Sequence, residues 1–494
     1  MSSLPAAADV LAALPAPLVV PGARADIRRA RAATGRRTAV LDDDPTGSQA
    51  VHGVSVVTVL ESAELAAGLA GVGATCFALT NTRSLPEAEA AQLTLRVGRE
   101  LLELGRRLGG PIDVVSRSDS TLRGHVLAEV TALDQARRRV LGTGYDGVLL
   151  VPAFLEAGRV TAGNVHWARV HGDLVPVGQT EFAQDATFGY TASDLREFVA
   201  ERSGGRLRPA DVAALSLADI RRGGPERVTE VLSGLRDGHI VVVNATEYAD
   251  LEVVVLGLLA AEAAGRSFLH RTGPSFVRAL AGLEPQEPLS AAQVGAGRRA
   301  EPGRHGLLVV GSHVGLSSRQ LAAARARGGF TEVELDVRAV ADGRRRDGHV
   351  ADAAQRVTAG LGGSDVLLST SRELLLGADR DASLAIARAT SRALAEVVRG
   401  ARAARPSWVV AKGGITSHDV AVDGLGIRRA TLLGQLLPGQ VSVLEPVHAA
   451  PEVIGMPYVV FAGNVGDDQT LAHVVDVMRG GHDLAAGGRT DQSR

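Results

Sequence analysis

The sequence predicts an α/β fold in two domains, each with a mostly parallel sheet flanked by helices and with the active site in the cleft between them. Three observations lead there. Short β-branched runs alternate with longer Ala/Leu/Arg-rich segments along most of the chain, which is the pattern of βαβ units. At 494 residues the chain is long for a single hydrophobic core. A stretch rich in Pro, Gly and charge but without periodicity, EPQEPLSAAQVGAGRRAEPGR at 284–304, interrupts it. The expected organisation is an N-terminal extension over 1–34, a first domain over 35–283, a linker over 284–305, a second domain over 306–482 and a frayed tail over 483–494.

In the first half, strands are expected at 38–41, 54–60, 75–79, 112–116, 148–152 and 240–244, with helices at 86–108, 122–138 and 251–264. Pro86 suits a first helical position, and Glu87 and Glu89 favour the positive end of the helix dipole. The polar stretch 203–224 reads as an insertion loop. In the second half, strands are expected at 306–311, 333–337, 365–369, 408–412 and 458–461, with helices at 317–327, 352–361, 382–399 and 467–478.

Composition narrows the function. The chain is 45% hydrophobic and 22% charged, with a formal net charge of −2, so no basic field calls for nucleic acid. Aromatic residues make up 3%, too few for a base-stacking surface. The lone Cys76 rules out an intrachain disulfide framework, and thirteen histidines show no zinc-binding spacing. No apolar run reaches the length of a membrane span and the first residues do not resemble a signal peptide, so a cytoplasmic enzyme without a membrane partner is the default expectation.

Three strand ends in the first half concentrate chemistry. TAVLDDDPTGSQAVHG carries Asp42, Asp43 and Asp44 off a strand, followed by Thr46, Gly47 and Ser48. Ligands of parallel sheets bind at such carboxyl ends, where acids accept hydroxyl hydrogen bonds, act as a general base or hold Mg²⁺. VVSRSDSTLRGHVLAEV packs Arg117, Asp119, Ser120 and Arg123 into a few positions. Asp119 or Ser120 is expected to cap the next helix, and the flanking guanidiniums to grip an anion in bidentate fashion. TNTRS adds Arg83. Acids for hydroxyls and arginines for a carboxylate suggest a polyhydroxylated, anionic small molecule.

The second half offers glycine turns between strand and helix: Gly311-Ser312, Gly413-Gly414-Ile415-Thr416, and Gly463-Asn464-Val465-Gly466. Glycine lets backbone approach phosphates closely and present N–H donors. None is a Walker A sequence, yet three in one domain favour a nucleotide site. STSRE at 369–373 is either a fourth wall or another cap.

At these residues the sequence resembles the four-carbon acid sugar kinase family. Its Asp-Asp-x-Thr-Gly turn matches Asp43, Asp44, Thr46 and Gly47, its Thr-Arg-Ser element Thr82 to Ser84, and its Asp-Ser-Thr-Leu-Arg-Gly block Asp119 to Gly124. Gly311-Ser312, Gly413 to Thr416 and Gly463 to Gly466 match the blocks of the second half in order. The resemblance implies ATP- and Mg²⁺-dependent phosphorylation of the terminal hydroxyl of a C4 sugar acid. Asp43 or Asp44 would be the base. Asp42, Thr46, Gly47, Arg83, Arg117, Asp119, Ser120 and Arg123 would hold the acid, and Ser312, Gly413, Gly414, Ile415, Thr416, Gly463, Asn464 and Gly466 the ATP. Metal ligands are not identified, and a homodimer is a common form for α/β metabolic enzymes. Two other readings compete. AVLDDDPTG also fits a haloacid-dehalogenase-type phosphatase with Asp42 as nucleophile, Asp44 as acid, and Lys412, Asp467 and Asp468 as later partners. A non-catalytic sugar-acid sensor would use only the first domain.

Overall fold

In the first unit every strand of the main sheet runs parallel to its neighbours, and the sheet's order places the aspartate turn at a break in the winding. The computed structural model describes residues 7–44, 47, 50–170, 172–295, 304–372, 375 and 380–481, and the chain divides into two units, Met1–Pro285 and Gln286–Arg494. The first unit has β1 (Arg37–Asp42), β2 (Val54–Val57), β3 (Thr75–Leu79), β4 (Ile112–Arg117), β5 (Gly147–Val151), β6 (Arg159–Ala162), β7 (Val165–Val170), β8 (Asp173–Pro176), β9 (Ala213–Leu215), β10 (His239–Val243) and β11 (Phe268–Thr272). Its parallel sheet runs β2-β3-β1-β4-β11-β5-β10-β9. After β1 the chain builds to one side through β2 and β3, then crosses to the other side with β4. The crevice opened by that reversal at the end of β1 is where doubly wound sheets bind ligands.

β1 and β4 are buried along their whole length because helices cover both faces. Leu41 and Val114 meet Leu101 of the helix Glu87–Arg107 and Leu133 of the helix Val126–Leu141 in one core. The N-terminal extension is part of this body. Ala23, Ile27 and Arg31 of the helix Ala23–Ala33 are buried, and Arg31 pairs with Asp113 at 3.0 Å.

The second unit has β12 (Leu307–Val310), β13 (Phe330–Leu335), β14 (Asp365–Thr370), β15 (Val409–Lys412), β16 (Arg429–Leu437), β17 (Val441–His448) and β18 (Tyr458–Phe461). The parallel part runs β13-β14-β12-β15-β18, and β17 and β16 continue it antiparallel. Here too the winding reverses at one strand, β12, between β14 and β15. The winding thus reverses at β1, which ends at Asp42, and again at β5 in the first unit, and at β12, which ends at Val310, in the second.

Several expectations are corrected. The 203–224 stretch is not a loop: it contains β9 and the helix Leu217–Arg221, with Leu215 and Ile220 fully buried. A three-residue edge strand is too short to show periodicity. The expected linker is shorter than 284–305, because Leu289, Ala291 and Val294 are buried in the second unit's core and the Leu289 N–H donates to the Gln435 carbonyl. Residues 296–303 and the expected tail at 483–494 lie outside the described residues. Missed entirely were β11, whose sequence FLHRT puts polar side chains in a fully buried strand, and the β16–β17 hairpin. In RATLLGQLL, buried and half-buried positions alternate, but Leu occupies both faces and hides the period. The antiparallel sheet β6-β7-β8 was also missed. Among the described residues no helix is long and apolar enough to cross a membrane.

Candidate active site

The three aspartates end up in three different environments, because the chain turns as soon as β1 ends. Asp42 is the last residue of β1, in register with Arg117 at the end of β4. Its Oδ1 accepts from Arg117 Nη1 at 2.8 Å and from the Asp44 N–H at 3.2 Å, while its Oδ2 has no hydrogen-bond partner among the described residues. Gly47 lies against this pair, and a Cβ there would collide with both Arg117 Nη1 and the Asp42 carboxylate. Burial raises Asp42 to about 7, against the lowering effect of Arg117. Asp42 and Arg117 are 0% and 4% exposed, so the pair lies below the surface of the turn.

Asp43 points elsewhere. Arg83 donates to Asp43 Oδ1 through Nη2 at 2.5 Å, to Oδ2 through Nε at 3.3 Å, and to Asp44 Oδ2 through Nη1 at 3.0 Å. Burial raises the Asp43 carboxyl, with Arg83 opposing. Arg83 is placed by the short turn Thr82–Ser84, entered through Asn81 in the left-handed region at φ 50°, and its own N–H donates to the Asp43 carbonyl. Asp44 retains 29% side-chain exposure, against 2% for Asp43.

The third cluster departs from the cap expected of it. The helix starts at Val126, not at 122, because Leu122 and Gly124 adopt positive φ of 68° and 117°. Asp119 and Ser120 therefore cap nothing. Asp119 accepts from Arg123 Nε at 2.6 Å and from Thr121. Burial would raise the Asp119 carboxyl, but Arg83, Arg123 and Thr121 together hold it below the usual carboxylate range. The Ser120 carbonyl bonds His166 Nε2 at 2.8 Å, and burial pushes His166 down to about 4, so the ring is neutral, Nε2 donates and Nδ1 accepts from Thr161. Thr46 and Ser48 lie outside the described residues.

Two residues the sequence did not single out underlie these clusters. Glu129, in the first turn of the helix Val126–Leu141, accepts from Thr82 at 2.6 Å and from Ser116 at 3.0 Å, and pairs with Arg271 of β11. Arg271 is 2% exposed and its Nη2 has no hydrogen-bond partner among the described residues. A Cβ on Gly124 would stand 3.0 Å from Asp43 Oδ2 and 3.3 Å from Arg271 Nη2, so only glycine lets the two approach this closely. A strand end after FLHR was the one available signal, and β11 itself was not recognised.

In the second unit the glycine turns close around a pocket of about 420 Å³ at the ends of β12, β15 and β18. Ser312, Gly413, Gly414, Ile415, Thr416, Gly463 and Asn464 line it; Gly466 does not. Gly413 has φ 121°, and a Cβ there would sit 3.2 Å from Thr416 Oγ1 and 3.3 Å from the Ser312 Cβ. Ser317 Oγ ties two turns together, donating to the Gly463 carbonyl at 2.7 Å and lying 3.0 Å from Ser312 Oγ. From the STSRE stretch, Arg372 donates to the Ser312 carbonyl at 2.8 Å and to Ser318 at 2.7 Å; Glu373 lies outside the described residues.

Residues 38–280 match the sugar-binding N-terminal domain and residues 307–471 the nucleotide-binding C-terminal domain of one family. The chain belongs to the four-carbon acid sugar kinase family. With that membership it is a sugar acid kinase, a phosphotransferase. The D-threonate kinase of Salmonella typhimurium is 28% identical over 408 residues, spanning 79% of this chain and 86% of its own. That of Cupriavidus necator is 27% identical over 460 residues, spanning 89% and 97%. Two solved structures share the fold at 17% identity. One from Salmonella typhimurium has a TM-score of 0.64 and covers 88% of this chain and 98% of its own; one from Haemophilus influenzae has 0.59, with 90% and 99%. The phosphatase reading has no support in this family or in the geometry. Its nucleophile, Asp42, is sealed under Gly47, Lys412 is buried with Nζ on the Ala462 carbonyl at 2.7 Å, and Asp468 pairs with Arg319.

Proposed function

We propose that this kinase transfers the γ-phosphoryl group of ATP to the terminal hydroxyl of a four-carbon sugar acid, threonate being the first to test. The observation that carries the reading is the pairing of two switch-point sites, one acid-and-arginine in the sugar-binding domain, one glycine-built in the nucleotide-binding domain. Asp44, the more exposed of the two candidate bases, takes the hydroxyl proton as the hydroxyl oxygen attacks the γ-phosphorus and the bond to the β–γ bridging oxygen breaks, releasing ADP. Asp43 keeps Arg83 in place. Arg83 and Arg123 face the acid's carboxylate and Asp119 a hydroxyl, while Asp42 and Arg117 support the turn from below. Transfer needs donor and acceptor within reach, so the reading requires a state in which the two sites meet.

Ser312, the Gly413–Thr416 turn and the Gly463-Asn464 turn hold the triphosphate through backbone N–H groups and hydroxyls, and Ile415 offers an apolar contact. Gly466, at φ 78°, shapes the way out of the last turn. Among the described residues no group of three or more His, Cys, Asp or Glu gathers to hold a metal. Mg²⁺, when bound, would supply charge neutralisation at the triphosphate. Phosphoryl transfer asks the protein chiefly for positioning and charge neutralisation.

The test is ADP formation from ATP and Mg²⁺ with a panel of C4 to C6 sugar acids. Turnover is expected with a C4 acid and not without one. Tight binding of a C4 acid with no ADP formed would show that this acid is not the one phosphorylated, and no response to any acid would overturn the substrate class.

A further inference from the structure

The nucleotide pocket has one wall built by the helix Arg380–Ala401, which presents Ile386, Ala387, Thr390, Ser391 and Leu394 to it at helical spacing. This wall is apolar apart from its two hydroxyls, and those two behave differently. Thr390 Oγ1 donates to the Ile386 carbonyl at 2.8 Å, the usual way for a helical hydroxyl to satisfy itself. Ser391 does not. Among the described residues its Oγ has no hydrogen-bond partner, although the residue is 5% exposed and lines the pocket.

A buried hydroxyl without a partner destabilises the fold, and alanine would fill the same place in a helix at no such cost. Ser312, Thr416 and Asn464, which also line the pocket, sit on the glycine turns. The apolar wall suits the nucleoside, which brings its own polar atoms into a place stripped of water. We infer that Ser391 is a specificity residue whose hydroxyl hydrogen-bonds the nucleoside portion of the bound nucleotide, not its phosphates. The inference rests on the proposed assignment of this pocket to ATP. Because a hydroxyl both donates and accepts, it can serve an amino group, a ring nitrogen or a ribose hydroxyl. The unligated protein carries the unsatisfied group, and the ligand relieves it.

The test compares wild type with Ser391→Ala and Ser391→Thr in the full chain, measuring Kd for ADP, adenosine and tripolyphosphate, and the melting temperature without ligand. Ser391→Ala is expected to weaken ADP and adenosine by the same factor, about tenfold, with tripolyphosphate unchanged. KM for ATP should rise in parallel while kcat and KM for the sugar acid hold. Ser391→Thr, which keeps the hydroxyl, should restore most of the affinity. The unligated alanine variant should melt about 1–3 °C higher than wild type, since an unsatisfied group has been removed. A merely structural serine predicts the reverse, a lower melting temperature with unchanged Kd, and that result would overturn the inference. Equal weakening of tripolyphosphate would overturn it too, by moving the contact to the phosphates. Wild type that binds neither ADP nor adenosine would remove the nucleotide reading of the pocket and this inference with it. Wild type that binds both while the alanine variant binds equally well would remove the inference alone.

Discussion

Asp42, Asp43 and Asp44 are consecutive, yet Asp42 pairs with Arg117 while Asp43 and Asp44 share Arg83, the first buried and the second part-exposed, and their predicted effects differ accordingly. Asp44→Asn is expected to lower kcat by ~10²–10⁴-fold with the fold intact, the usual cost of removing a positioned base. Circular dichroism and a kcat measurement check this, and near-normal turnover would remove Asp44 from the mechanism. Asp43→Asn is expected to act through Arg83, raising KM for the acid as well as lowering kcat. Asp42 gives a pH prediction. Its folded value of about 7 lies above the ordinary carboxylate value, so the folded state binds the extra proton and stability falls as pH rises from about 4 to 7. His166 and His270, both pushed down to about 4 by burial, act in the opposite sense over much of this window, adding stability as pH rises toward 6.5. The check is therefore the difference between wild type and Asp42→Asn: melting temperature against pH should lose its downward component in the variant. A difference that is flat across the window would show that Asp42 is ionised throughout, as its 2.8 Å pair with Arg117 would by itself suggest.

At the scale of elements, the glycine turns and the helix starts carry the site. Gly413→Ala forces a side chain into a backbone at φ 121° and against Ser312 and Thr416. Left-handed strain of this kind costs about 1–3 kcal/mol, and the turn is expected to relax by moving its N–H groups. KM for ATP should rise at least tenfold while the Kd of the sugar acid stays put, which isothermal titration of each ligand would check. The N-terminal helix Ala23–Ala33 is a structural element of the first unit. Removing residues 1–34 deletes Arg31 and leaves the buried Asp113 with Arg36 alone. Breaking a buried pair typically costs about 3–5 kcal/mol, so the truncated chain should melt well below wild type in a thermal scan. The helix Val126–Leu141 illustrates how a small shift matters. Because it starts four residues later than the sequence pattern suggests, Asp119 is released from capping and Glu129 falls in the first turn, where it reaches Thr82, Ser116 and Arg271. The positive φ at Leu122 is what delays the start, and nothing in a leucine announces it.

For the whole molecule, two sites in two separate units predict independent binding and shared chemistry. Sugar acid should bind without nucleotide and ADP without sugar acid. The effect of Asp44→Asn on sugar-acid binding and of Gly413→Ala on ADP binding, each measured without the other ligand, should be unchanged in the double variant within about 0.5 kcal/mol, as for residues without common partners, with kcat/KM lowered in both. The α/β class, the strand-end acids and the order of glycine turns were legible because they depend on local chemistry: apolar runs of strand length, and residues that only a turn accommodates. Asp43, Asp44, Arg83 and Gly413 could be picked out on that basis. Arg271, Glu129 and Ser391 could not, since each lies in a segment whose pattern is that of an ordinary strand or helix. What the sequence by itself determined is which residue types stand at strand ends. Only the tertiary structure decided which of them stay part-exposed and which are buried in pairs, because burial and register depend on neighbours far away in the chain. Asp42 and Arg117, 75 residues apart, become one buried pair only when β1 and β4 align.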